Sequence, residues 1–71
     1  MTIITAPVTG NVWKIEVSVG DQVNEEDELI ILESMKMEIP VEAEVAGKVV
    51  KLLCSEGDSV SEGDPLVELE A

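Results

Sequence analysis

Seventy-one residues suffice for one domain, with a core that only just offsets the entropy of ordering the chain, so a second domain is excluded. Sixteen acidic residues against four lysines, with no arginine or histidine, give a net charge of −12, which disfavours nucleic acid and anionic membrane surfaces as partners. A single cysteine, Cys54, cannot close an internal disulfide, which points to a reducing, cytoplasmic setting.

From the start, Met1 to Thr9 has no basic segment followed by an apolar run, and no stretch approaches the roughly 20 apolar residues of a membrane helix. Met1 so close to the first patterned segment reads as a natural start. Trp13, Ile15, Val17 and Val19 then recur with period two and predict a strand ending at Gly20-Asp21, where glycine permits the positive φ of a tight turn. Glu25-Glu26-Asp27 is a loop leading into a short strand, Leu29 to Leu32. The acidic stretch from Asp21 to Glu28 lacks the D-x-D-x-D-G ligand spacing, so no metal is expected there.

The second half repeats the first. Gly10 to Glu33 aligns on Gly47 to Glu70 at an offset of 37 residues without a gap, and twelve of the 24 positions are identical. Val50, Leu52 and Cys54 take the alternating places, Gly57-Asp58 the turn, Glu62-Gly63-Asp64 the loop, and Leu66 to Leu69 the second strand. Ala6 with Ala43 and Val8 with Val45 extend the halves to about residues 2–33 and 39–70. A lone pair of short strands is marginal in water, so two halves must face each other. The expected fold is an all-β flattened barrel or sandwich with an approximate two-fold axis. Cys54, opposite Val17 in the repeat, reads as a small core residue without a neighbouring base to activate it.

Lys36 is the midpoint of the repeat. The short connection Ser34-Met35-Lys36-Met37-Glu38 joins strand Leu29 to Leu32 to a strand from Ile39 to Val45, which predicts a tight hairpin with the lysine amine projecting from its tip. Two-residue turns favour Asn-Gly or Asp-Gly, and this one offers Met-Lys; such local rule-breaking inside a consistent fold marks function. Met35 and Met37 either form soft apolar surface for a docking partner or simply alternate inward beside a solvated charge.

Glu33-Ser34-Met35-Lys36-Met37-Glu38 resembles the E-(A/S)-M-K-M signature of the biotinyl/lipoyl attachment family, and the glycine, valine and Gly-Asp framing extends the resemblance over essentially the whole chain, residues 1–71. It is similar to the small free-standing biotin/lipoyl attachment proteins. The resemblance implies the barrel-sandwich hybrid fold and covalent biotin on Lys36, with Glu33, Met35 and Met37 read by a biotin protein ligase. It makes Gly10, Gly47, Gly20 and Gly57 turn or close-approach positions. It also implies a biotin carboxylase and a carboxyltransferase as the two enzymes between which the cofactor carries an activated carboxyl group. The halves align without an insertion, so the protruding thumb of some bacterial acetyl-CoA carboxylase carriers is absent, as are Ala- and Pro-rich linkers.

With no histidine, no nucleophile paired to a base and no phosphate loop, the chain reads as a non-catalytic carrier. Lys14 and Lys51 are repeat mates within strands, and of the four lysines only Lys36 occupies the unique hairpin. Two other readings of the same hairpin are lipoylation of Lys36, against which the Met-Lys-Met triplet argues, and an unmodified interaction module with a methionine-tipped docking knob.

Overall fold

The structure, a computed structural model, describes residues 1–70. Eight strands follow in order: β1 (Thr2–Thr5), β2 (Gly10–Ile15), β3 (Gln22–Val23), β4 (Glu28–Ser34), β5 (Met37–Glu42), β6 (Gly47–Leu52), β7 (Ser59–Val60) and β8 (Pro65–Glu70). They form two four-stranded sheets, β1-β8-β6-β3 and β5-β4-β2-β7, with every neighbouring pair antiparallel. Exchanging β1 with β5, β2 with β6, β3 with β7 and β4 with β8 converts one sheet into the other, which is the two-fold relation expected from the repeat. The halves do not simply face each other, however. Each sheet takes two strands from each half, so neither half contains a complete sheet and the two are interlocked.

The core carries the same symmetry. Its fourteen buried side chains are seven repeat pairs: Ile4/Val41, Ala6/Ala43, Val12/Val49, Val23/Val60, Leu29/Leu66, Ile30/Val67 and Leu32/Leu69. The duplicated identities are thus largely core identities, and both halves contribute side chains to each face of the apolar layer between the sheets. Cys54 packs against this core with its repeat mate Val17, as its small apolar character suggests.

The alternating pattern over Trp13 to Val19 marks the core face only in part: Ile15 and Val17 pack against the core, whereas Trp13 and Val19 are exposed. Val12 is buried and Trp13 is half-exposed (50%). The reason is a bulge: Val12 pairs with Leu32 and Lys14 with Ile31, so Trp13 is an extra residue with no partner, and the inward parity changes across it. The same shift occurs between Val49 and Lys51, which puts Val49 rather than Val50 in the core. Strand β2 also ends at Ile15, short of Gly20-Asp21. The chain then runs on to the two-residue β3, which has too few residues to leave a periodic signal. Strand β5 ends at Glu42, before the expected Val45, because Ala43 turns its N–H and C=O to the Glu26-Asp27 turn.

Four turns hold the interlock together, and they share one construction. In Ser18–Asp21, Asn24–Asp27, Ser55–Asp58 and Ser61–Asp64, the aspartate N–H donates to the carbonyl of the first residue at 2.9–3.1 Å. The aspartate Oδ2 accepts the N–H of that same first residue at 2.8–2.9 Å. The residue before each aspartate has positive φ: Gly20 (99°), Glu26 (74°), Gly57 (93°) and Gly63 (90°). That is the third position of a type II turn, where glycine is preferred, and Glu26 is the one departure. Space is not the requirement, since nothing lies within 4 Å of a Cβ built on Gly20, Gly57 or Gly63.

Each turn also reaches into the other half. Gly20 N–H donates to the Val49 carbonyl while Val49 N–H donates to the Asp21 carbonyl, and Gly57, Val12 and Asp58 repeat this pair of bonds. Glu26 with Ala43 and Asp27, and Gly63 with Ala6 and Asp64, complete the set at 2.8–2.9 Å. We expect Asp58→Ala to cost about 1 kcal/mol, read as a fall of roughly 4–8 °C in thermal midpoint, because it removes the acceptor for the Ser55 N–H. Asp58→Asn, which keeps an oxygen acceptor, should lose less.

Candidate functional site

Strands β4 and β5 meet in a two-residue hairpin. Ser34 pairs with Met37, leaving Met35 and Lys36 as the tip. Both have positive φ, 52° and 64°, the signature of the type I′ turn whose twist matches that of the flanking strands. Neither is glycine or asparagine, so each holds a left-handed conformation that costs an L-residue about 1–2 kcal/mol. The long β4–β5 ladder, Glu28 to Ser34 against Glu42 to Met37, enforces the turn despite that cost.

The tip is open to solvent. Met35 is 92% exposed and Met37 62%, and Lys36 is exposed between them. The reading in which the methionines alternate inward is therefore wrong: beyond Glu33 the hairpin outruns the apolar layer, and no core remains for them to enter. Glu33 is exposed on β4, directly opposite Glu38 on β5 and beside Asn11 on β2. Two like charges facing each other across a ladder are locally unfavourable.

Residue Gly10 at the start of β2 sets how closely the hairpin base sits on the domain. A Cβ built there would lie 2.5 Å from the Glu33 carbonyl oxygen and 3.2 Å from the Ser34 Cβ. This close approach fulfils the role expected of Gly10, while Gly20 and Gly57 are turn glycines. Gly47 is buried at the start of β6. The sequence signals for Met35, Lys36, Met37 and Glu33 all lay within six consecutive residues, so folding adds to them only Gly10 and Asn11 from β2.

The other lysines stand on strands, Lys14 on β2 and Lys48 and Lys51 on β6, and Lys14 is 3.8 Å from Glu16 in the one ion pair among the described residues. There is no cavity of ligand size among the described residues. An exposed primary amine on a hairpin fits covalent linkage to a group that no pocket among the described residues would enclose. The carboxylates of Asp21 and Asp27 in the acidic loop accept turn N–H groups.

Similarity to known proteins agrees with this geometry. The family described as "Biotin-requiring enzyme" matches residues 2–69. A biotin/lipoyl attachment protein of Bacillus subtilis is 49% identical over 41 residues, 58% of this chain and 56% of the relative. A putative urea carboxylase of Emericella nidulans is 50% identical over 44 residues, 62% of this chain but 4% of that protein. Among solved structures, the urea carboxylase of Kluyveromyces lactis superposes with a TM-score of 0.92 at 39% identity, covering 97% of this chain and 6% of that one. The matched stretch thus spans about half of the Bacillus relative and a few per cent of the carboxylases.

Two measurements test the site as described. Met35→Gly removes a left-handed strain of about 1–2 kcal/mol and adds about 0.4–1 kcal/mol of unfolded-chain entropy, so it should stabilise by roughly 0.5–1 kcal/mol in a denaturant titration. For Cys54, burial, reinforced by the Asp58 charge, pushes the thiol above its ordinary pKa. Below that raised value the folded protein holds less thiolate than an open cysteine does. Alkylation of the native chain should then be slower than that of the urea-unfolded chain at neutral pH, with the gap narrowing as pH rises.

Proposed function

The chain belongs to the biotin/lipoyl attachment family, as a biotin-requiring carrier domain and not a catalyst, and from that premise we propose that Lys36 is the residue that holds the cofactor. The observation that carries this reading is the exposed hairpin tip, where strain is spent on presenting one amine at the two-fold midpoint of the molecule. Lys14, Lys48 and Lys51 lie within strands β2 and β6, not on a hairpin tip, and offer no comparable presentation.

In this reading the exposed Lys36 Nζ, once deprotonated, attacks the activated carboxyl group delivered by a biotin protein ligase. An amide bond forms, the nitrogen gives up its remaining excess proton and the activating group leaves with the bonding electrons. Met35 and Met37 provide apolar surface that the ligase covers, and Glu33 a fixed charge at the hairpin base. When bound, biotin supplies a ring able to carry an activated carboxyl group. The protein then positions that ring at a biotin carboxylase and at a carboxyltransferase, raising its effective concentration at each site while docking stays weak enough to release. Carriers of this kind sit within carboxylases, and the urea carboxylase relatives support a carboxylase assembly as the setting for this chain. The acidic surface favours fast encounters with basic docking faces on these enzymes. A cytoplasmic location, where ligase and bicarbonate are available, completes the proposal and suits the free thiol of Cys54.

The test is the intact mass of the protein recovered from cells that contain both biotin and lipoyl ligases, with peptide mapping. We expect a biotinyl increment on Lys36 that Lys36→Arg abolishes. A lipoyl increment on Lys36 would replace carboxyl transfer by acyl transfer. An unmodified chain, with a control acceptor labelled in the same cells, would leave the hairpin as a docking knob.

A further inference from the structure

The two-fold relation makes each strand the control for its mate, and the two long edge strands differ sharply. At the edge of one sheet, β5 carries Glu38, Pro40 and Glu42 in alternation; at the matching places on the edge of the other, 37 residues earlier, stand Met1, just before β1, and Ile3 and Thr5 on it. Charges and proline are the usual means of keeping an exposed edge from pairing with another strand. Strand β5 has both and β1 has neither.

The backbone of β1 is correspondingly free. Pro40 pairs with Ile31 yet has no N–H to exchange, so that pair is a non-hydrogen-bonded one and the Pro40 backbone faces away from β4. Ile3 takes the same place opposite Glu68, the mate of Ile31, so the Ile3 N–H and C=O face outward. Outside the ladder with β8, no backbone or side-chain hydrogen bond among the described residues reaches residues 1–5. Along this edge Met1 is 80% and Ile3 44% exposed.

We propose that β1 is a self-association edge, pairing antiparallel with β1 of a second copy about a two-fold axis through Ile3. The outward residues 1, 3 and 5 are symmetric about residue 3, so one register sets Ile3 against Ile3 and Met1 against Thr5, and every outward N–H of that set finds a carbonyl. The two isoleucines then lie on the same face of a continuous eight-stranded sheet, about 5.5 Å apart at Cα. Charge selects this occupant. A basic foreign strand would be recognised by carboxylates alternating along the edge, and those stand on β5; β1, with no charge from Thr2 to Thr5, matches a strand like itself. The hairpin belongs to the other sheet, so both copies keep Lys36 free.

Such a contact falls below the roughly 1,200 Å² of stable interfaces, and each copy brings a net charge of −12, so the dimer is weak and strengthens with salt as the repulsion is screened. The test is sedimentation equilibrium of the whole chain from micromolar to millimolar concentration, at low and at half-molar salt. The average mass should climb from 7.6 kDa toward twice that value, further at high salt. Ile3→Pro should stay monomeric, and its fold should survive because β5 accommodates Pro40 at the equivalent place. If that variant does not fold, Ile3→Lys serves instead: it lowers the net negative charge by one, so charge alone would favour association, and we expect association to fall. Amide exchange in the wild type should slow at Ile3 and Thr5, the outward amides of Thr2–Thr5, as concentration rises. A wild type that stays monomeric at millimolar concentration in high salt, or variants that associate like it, would overturn the proposal. So would protection of Thr2–Thr5 that appears only when a purified biotin carboxylase is added, which would assign the edge to a foreign strand.

Discussion

Each aspartate-closed turn grips a strand of the opposite half through a reciprocal pair of backbone hydrogen bonds, and these four grips, with the ladders that cross between the halves, make a duplicated chain into one domain. The geometry is economical. The positive-φ residue turns its N–H outward to the other half, the following aspartate turns its C=O the same way, and the aspartate side chain closes the turn so that both groups are fixed before they dock. Because the grips cross between halves, the seven-pair core closes only when both halves are present. A small domain with no disulfide gains cooperativity from this arrangement, since no half can persist as a partly folded unit.

The same symmetry explains why the candidate tip stands where it does. A two-fold relation between halves leaves one segment without a mate, the connection across the axis, and Met35 and Lys36 occupy it. Every core position is constrained twice, once in each half, whereas the tip is constrained by no repeat and by no packing. Its strained turn is held by the ladder below it and by the close approach of Gly10, so the amine is presented on a stiff support rather than on a flexible loop. A linkage at this amine would need no pocket, and there is no cavity of ligand size among the described residues.

Where mates differ, the differences fall on surfaces. Trp13 against Val50, Ile3 against Pro40 and Glu26 against Gly63 lie on a bulge, an edge and a turn, while the buried pairs are identical or differ by a methylene. Interior packing tolerates little change in volume, so the halves have kept one core between them. Freed from that restraint, one edge strand carries proline and carboxylates and the other does not.

Much of this was legible in the chain itself. The offset of 37 residues fixed the two-fold relation and the core pairs, and Gly-Asp stands in three of the four turns, two of which it marked as such; the Met-Lys-Met segment at the midpoint located the candidate attachment lysine. These features are local or repeat at fixed spacing, so sequence alone determined them. Other features depended on partners distant in the chain. The bulge at Trp13 exists because β4 offers one residue opposite two, and period-two reading cannot see a partner strand. The interlocking of the halves, the two-residue strands β3 and β7, and the nearness of Gly10 to the Glu33 carbonyl likewise come from long-range pairing. Composition and spacing set which residues could be buried or turned; only the tertiary structure decided which strand each would meet, because backbone hydrogen bonds between strands carry no record in the residues that make them.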